Sequence, residues 1–198
     1  MYQLMPGCRS PKQTFMEEIE IIEVIQCACR TLQEQDFHLL VNDLSERSIT
    51  HWLAIHLSLN LTDYQVDCEY NGDVDRASSR KRVDMLRDEL LARGLLTDRE
   101  MAGPETATIE RQVYPDIIVH RRGSNAHNLC IIEVKKSSST VPITYDRMKL
   151  VAYTSPHDGN NLCYQLGISI ILHTVGRFQE APILECYRKG REVPLPHR

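Results

Sequence analysis

The chain has 198 residues, 42% hydrophobic and 25% charged, and its 23 Lys+Arg against 27 Asp+Glu leave a formal charge of −4. That composition suits one well-buried globular domain and excludes disordered and fibrous classes. The negative balance excludes a whole-molecule field that draws the protein onto nucleic acid, so polyanion binding requires a local patch.

The opening MYQLMPGCRSPK lacks the apolar core of a signal peptide, and residues 1–14, with Pro6, Gly7 and Pro11, read as a loose arm. Seven cysteines, odd in number and without a C-x-x-C pair, fit reduced thiols better than disulfides or a zinc site. No apolar run approaches the roughly 20 residues of a membrane span. The expectation is a cytoplasmic protein with no membrane partner.

From Phe15 to about Gln35, Phe15, Ile19, Ile22, Ile25 and Cys29 recur at the helical period and predict a first helix. A second starts at DLSERSITHWLAIHLSL, where Asp43 is placed to cap and Glu46 to close a capping-box-like pair. Ile49, Trp52, Leu53 and Leu57 form its predicted buried stripe. YQVDCEYNG alternates and ends at Asn71-Gly72, which reads as a strand and turn. Residues 73–110 are polar around the helix-like VDMLRDELLARGLL and are expected to be a helical insertion.

After it VYPDIIVHRR, the turn GSNA and NLCIIEVKK predict a hairpin whose consecutive apolar residues mark central strands covered on both faces. A helix near Tyr145 to Thr154, the apolar strand YQLGISIILHTV and a last strand near Pro182 to Tyr187 follow, with 188–198 as a loose tail. The whole reads as one α/β domain over 1–198, a mixed central sheet flanked by helices, with an extra N-terminal helix.

A hairpin folded about Ser124-Asn125 sets Asp116 opposite Glu133 and puts Glu133 and Lys135 on the face of Asp116, because strand side chains alternate. A slip of one residue would separate them. Two carboxylates brought together repel unless a cation sits between them, and a partly open set of oxygen ligands suits Mg²⁺. Such a metal activates water or stabilises charge on a phosphoryl oxygen, and Lys135 adds a fixed ammonium. The eight histidines have no metal spacing, and H-E-x-x-H, G-x-S-x-G, G-x-G-x-x-G and the P-loop are absent, which sets aside zinc-protease, serine-hydrolase and nucleotide-binding readings.

The pattern P-D, apolar strand, turn, apolar strand, E-V-K resembles the PD-(D/E)XK nucleases, the restriction-endonuclease-like superfamily. SERSITHWLA and VDCEYN are similar to segments of its small stand-alone bacterial and phage members. The resemblance implies an αβββαβ core and Mg²⁺- or Mn²⁺-dependent cleavage of nucleic acid, with DNA the expected substrate. It implies Asp116, Glu133 and Glu46 as metal ligands and Lys135 as the catalytic lysine, with Glu69 and Lys149 as second-tier candidates.

Each has a blander reading: an exposed Glu-x-Lys salt bridge, a capping Glu46, a solvated Glu69, a surface Lys149. Arg80, Lys81, Arg82, Arg121 and Arg122 are candidate phosphate contacts or simply solvated charges. The alternative function is a catalytically silent nucleic-acid- or protein-binding subunit of a larger complex. A homodimer or a partner protein fits either reading.

Overall fold

The structure, a computed structural model, describes residues 16–73, 80–123, 125–156, 160 and 162–196. The arm at 1–14, Phe15 and the turn residue Ser124 lie outside them. Helix α1 (Glu18–Gln35) buries Ile21, Ile22, Ile25, Cys29 and Leu32 along one face. After the short α2 (Phe37–Val41), α3 (Glu46–Asn60) presents Ile49, Leu53 and Leu57 to the same layer. Trp52, expected in that stripe, is 40% exposed and rests its ring near His51 and His56 instead.

The start of α3 differs from expectation. Ser45 is the N-cap, its hydroxyl accepting from the Ser48 N–H at 3.2 Å, while Asp43 precedes the helix at φ 50°. Glu46 is therefore the first helical residue, and no capping role occupies its carboxylate.

Strand β1 (Gln65–Cys68) leads to the insertion, which is chiefly a two-stranded antiparallel sheet. Its elements are β2 (Arg82–Leu86), the short α4 (Arg87–Ala92) and α5 (Asp98–Met101), and β3 (Thr108–Gln112). VDML was expected to be helical, but Val83 and Met85 alternate inward and pair with Arg111 and Ile109. A long-range partner overrides the local helical run, and only its RDELLA end stays helical.

The main sheet is completed by β4 (Ile117–His120), β5 (Cys130–Lys136), β6 (Leu166–Leu172), β7 (Ile183–Arg188) and β8 (Arg191–Val193), in the spatial order β1-β4-β5-β6-β7-β8. Neighbours are antiparallel except β5 and β6, which are parallel and joined through α6 (Thr144–Thr154), since a parallel connection needs a crossover. The expected loose tail is instead tied in: β8 pairs with β7, and Leu195 packs on the core. Residues 197–198 lie outside the described part.

The sheet has an apolar layer on each face. Ile117, Val119, Ile132, Val134, Ile168 and Ile170 pack with α1 and α3, while Ile118 and Ile131 face Leu150 and Tyr153 of α6 and Val83 and Met85 of the small sheet. The architecture is thus α/β, a mixed central sheet with helices on both faces. The cysteine thiols at positions 29, 130 and 186 are free and buried, as expected of core cysteines. Among the described residues, no helix is long and apolar enough to cross a membrane.

Candidate active site

The hairpin register is the expected one: Ile117 pairs with Ile132, Ile118 with Ile131 and Val119 with Cys130. One further step brings Asp116 to Glu133, and the Val134 N–H donates to Asp116 Oδ2 at 2.8 Å. Ile118 and Ile131 belong to the α6 layer, so alternation turns Asp116, Glu133 and Lys135 toward the same helix. The turn is broader than a tight hairpin, with a 3₁₀ segment at Asn125–His127.

Around this trio α6 and α3 add charge. Lys149 Nζ lies 2.6 Å from Glu133 Oε2 and 2.9 Å from Asp146 Oδ1, and Lys135 Nζ lies 3.0 Å from Asp146 Oδ2 and 3.6 Å from Glu46 Oε1. The Lys136 N–H donates to Glu46 Oε2 at 3.1 Å, and its ammonium donates to the Asp43 and Leu44 carbonyls. Those bonds fix the start of α3 against the end of β5. Glu46, Lys135, Asp146, Lys149 and Glu133 thus form one alternating chain of opposite charges.

Burial governs the electrostatics. Glu133 is 3% exposed, and burial pushes its carboxyl well above the ordinary range, with Lys149 pulling the other way. Asp116 is pushed up to about 6, chiefly by burial; the Val134 N–H and Lys149 oppose the shift, and Asp146 and Glu46 reinforce it. Burial also works against the charge of Lys149 and Lys135, but their carboxylate partners outweigh it and hold both ammoniums above the usual lysine range. Glu133 Oε1 is buried and accepts no hydrogen bond from the described residues, a cost that a native protein rarely leaves unexplained.

Asp116 and Glu46 also line an open cleft of about 490 Å³, together with Arg47, His51, Glu69 and Tyr114. Glu69, at φ 49°, pairs with Arg47 at 3.0 Å on the cleft wall, where both are well solvated. Its N–H donates to the Asp116 carbonyl, so it neighbours the site through the backbone.

No protein-family model, curated protein or solved structure matches the chain.

Several expectations need correction. Among the described residues, no group of three or more His, Cys, Asp or Glu side chains stands close enough to hold a metal ion, so Asp116, Glu133 and Glu46 do not form a three-carboxylate set. Glu46 and Glu133 are engaged with lysines instead: Lys135 bridges Glu46 and Asp146, and Lys149 bridges Asp146 and Glu133. What remains for a cation is Asp116 with Glu133. That pair fits Mg²⁺ or Mn²⁺ by its donor chemistry, because Mg²⁺ is bound through one or two carboxylates and keeps its other waters, and because Glu133 Oε1 lacks a partner among the described residues.

Lys149 is not the surface lysine of the bland reading, being 8% exposed and doubly paired. Lys81 is no phosphate contact: it is 1% exposed, donates to the Gly72 carbonyl at 2.5 Å and stands 4.6 Å from the Tyr70 ring centre. Burial lowers its ammonium to about 8. The other basic candidates are engaged as well: Arg80 with Asn71, Arg82 with Glu110, Arg122 with both oxygens of Asp67, and Arg121 over the Tyr64 ring. Asp146 was missed; its one sequence signal is its spacing of three from Lys149 on α6, which puts both on one helical face.

Proposed function

We propose that this protein is a metal-dependent nuclease of the PD-(D/E)XK type, which hydrolyses phosphodiester bonds of DNA at the Asp116 end of β4. One observation carries the reading: Asp116, Glu133 and Lys135 share one face of two neighbouring strands, with Asp116 lining an open cleft. The order α3, β1, β4, β5, α6, β6 supports it, since that is the αβββαβ succession the motif implies.

Mg²⁺ or Mn²⁺ held by Asp116 and Glu133 would polarise a phosphoryl oxygen and acidify a bound water. The chain's own groups supply the rest. Lys135, fixed between Asp146 and Glu46, keeps a positive charge where it stabilises negative charge growing on the phosphate and orients the attacking water. Glu46 acts by holding Lys135 and the end of β5 in place. The burial of Glu133 and Lys149 keeps bulk water from these charges and strengthens every interaction among them. The reading is of a cytoplasmic enzyme, in keeping with its free thiols.

A second reading is favoured by the same chain of ion pairs, which balances much of its charge without any metal: a silent nuclease-like module that binds nucleic acid or a partner protein. One experiment separates the two. Supercoiled plasmid, linear duplex, single-stranded DNA and RNA are incubated with the protein in Mg²⁺, Mn²⁺ or EDTA, with Lys135→Ala alongside. Cutting that needs metal and is lost in Lys135→Ala supports the nuclease. A gel shift in Ca²⁺ with no cutting in Mg²⁺ or Mn²⁺ overturns it in favour of the module.

A further inference from the structure

We infer that Lys149 is a resident counter-ion of the metal site, which a divalent cation displaces from Glu133, and that Asp146 is the positioning residue that receives the displaced ammonium. The inference rests on the metal-dependent reading of the site. Its starting point is a count of charge: Glu46, Asp116, Glu133 and Asp146 bring four formal negative charges, and Lys135 and Lys149 bring two positive ones. The deficit, 4 − 2 = 2, is the charge of one divalent cation.

Lys149 occupies the place such a cation would take. Its Nζ is 2.6 Å from Glu133 Oε2, in a position 8% exposed, and the other oxygen of Glu133 is buried without a hydrogen bond from the described residues. An ammonium and a divalent ion on one carboxylate repel strongly at low dielectric, so the lysine must give way. It has somewhere to go. Asp146, three residues earlier on α6, already lies 2.9 Å from Lys149 Nζ, and a small rotation of the flexible lysine stem transfers the ammonium fully onto it. Asp146 also holds Lys135 at 3.0 Å, so the same carboxylate keeps both ammoniums beside the site as the cation arrives.

The consequence is that wild-type protein binds a divalent ion more weakly than its two carboxylates alone would allow. Calorimetric titration with Mn²⁺, without nucleic acid, tests this on wild type, Lys149→Met, Asp146→Asn, the double variant and Glu133→Gln. Lys149→Met is expected to bind about tenfold more tightly than wild type, and Asp146→Asn about tenfold more weakly, the scale of coupling between contacting charged groups. The Asp146→Asn loss should shrink in the Lys149→Met background, because Asp146 then has only Lys135 left to seat.

Equal affinity in wild type and Lys149→Met overturns the inference, as does an Asp146→Asn loss that persists undiminished in the double variant. If Lys149→Met does not fold, unchanged affinity in the isosteric Asp146→Asn overturns it alone. Glu133→Gln separates this failure from that of the function: lost Mn²⁺ binding there with unmoved lysine variants sinks only the counter-ion. Undiminished binding in Glu133→Gln, or no binding in wild type and Lys149→Met alike, sinks the metal site and the counter-ion with it.

Discussion

Strand β4 runs between two clusters of charge. At its far end, His120 Nε2 lies 2.9 Å from Asp67 Oδ2, and Arg122 grips both oxygens of the same carboxylate. Arg122 holds Asp67 below the ordinary carboxylate range, burial lowers His120 toward its neutral form, and the cluster balances itself. At the near end the sign is reversed: burial lifts Asp116 to about 6 and lifts Glu133 well above the ordinary range, and carboxylates outnumber ammoniums. A balanced cluster stabilises the fold and asks for nothing else. The unbalanced one costs stability, and perturbed carboxylates in a cleft are candidates for function where paired ones point to structure.

Four substitutions sharpen or break that contrast. The largest effect is expected for Glu133→Ala, which should lower metal-dependent cleavage at least about a hundredfold in a plasmid assay, the scale of losing a central electrostatic group. Next is Asp116→Asn. Burial pushes the folded carboxyl up to about 6 from the ordinary aspartate value of 3.8, so its linkage to folding is most favourable below 3.8, is lost as pH rises to 6 and opposes folding fully above it. At pH 7.5 in EDTA the variant should melt higher than wild type, by up to about 3 kcal/mol at 1.36 kcal/mol per unit, and the advantage should fade as pH falls from 6 toward 4.

Asp67→Asn should do the reverse at the other end. It leaves Arg122 and His120 without their carboxylate and should cost about 1–3 kcal/mol by chemical denaturation, with cleavage unchanged. Because the folded value of Asp67 is depressed, its contribution is present above the usual aspartate range and lost as pH falls through that depressed value. The smallest effect belongs to Arg82→Ala, whose partner Glu110 is 42% exposed: under about 1 kcal/mol of stability, and no change in nucleic-acid affinity by gel shift.

What the sequence discloses follows from how local each cause is. The hairpin pairing of Asp116 with Glu133 is legible because two doubly buried apolar runs and a turn leave few registers, and alternation then fixes the faces. VDML is misread because its partner, β3, lies beyond two short helices, and a helix-forming run gives no hint of a distant strand. Asp43 and Ser45 are both good caps, and only the bond to the Ser48 N–H tells which one starts α3 and so leaves Glu46 available to Lys135. Asp146 is the least legible of all. Lys149 and Asp146 reach the site only because α6 crosses over β5, a placement that no spacing within the motif encodes.

We propose the unbalanced end of β4 as the centre of a metal-dependent phosphodiesterase. It is tested most directly by nicking of supercoiled plasmid in Mn²⁺ and in EDTA, comparing wild type, Asp116→Asn and Asp67→Asn in one assay. Cutting is expected from wild type and Asp67→Asn in Mn²⁺ alone, and none from Asp116→Asn although it is at least as stable. Cutting by Asp116→Asn at the wild-type rate, or by wild type in EDTA, would contradict it.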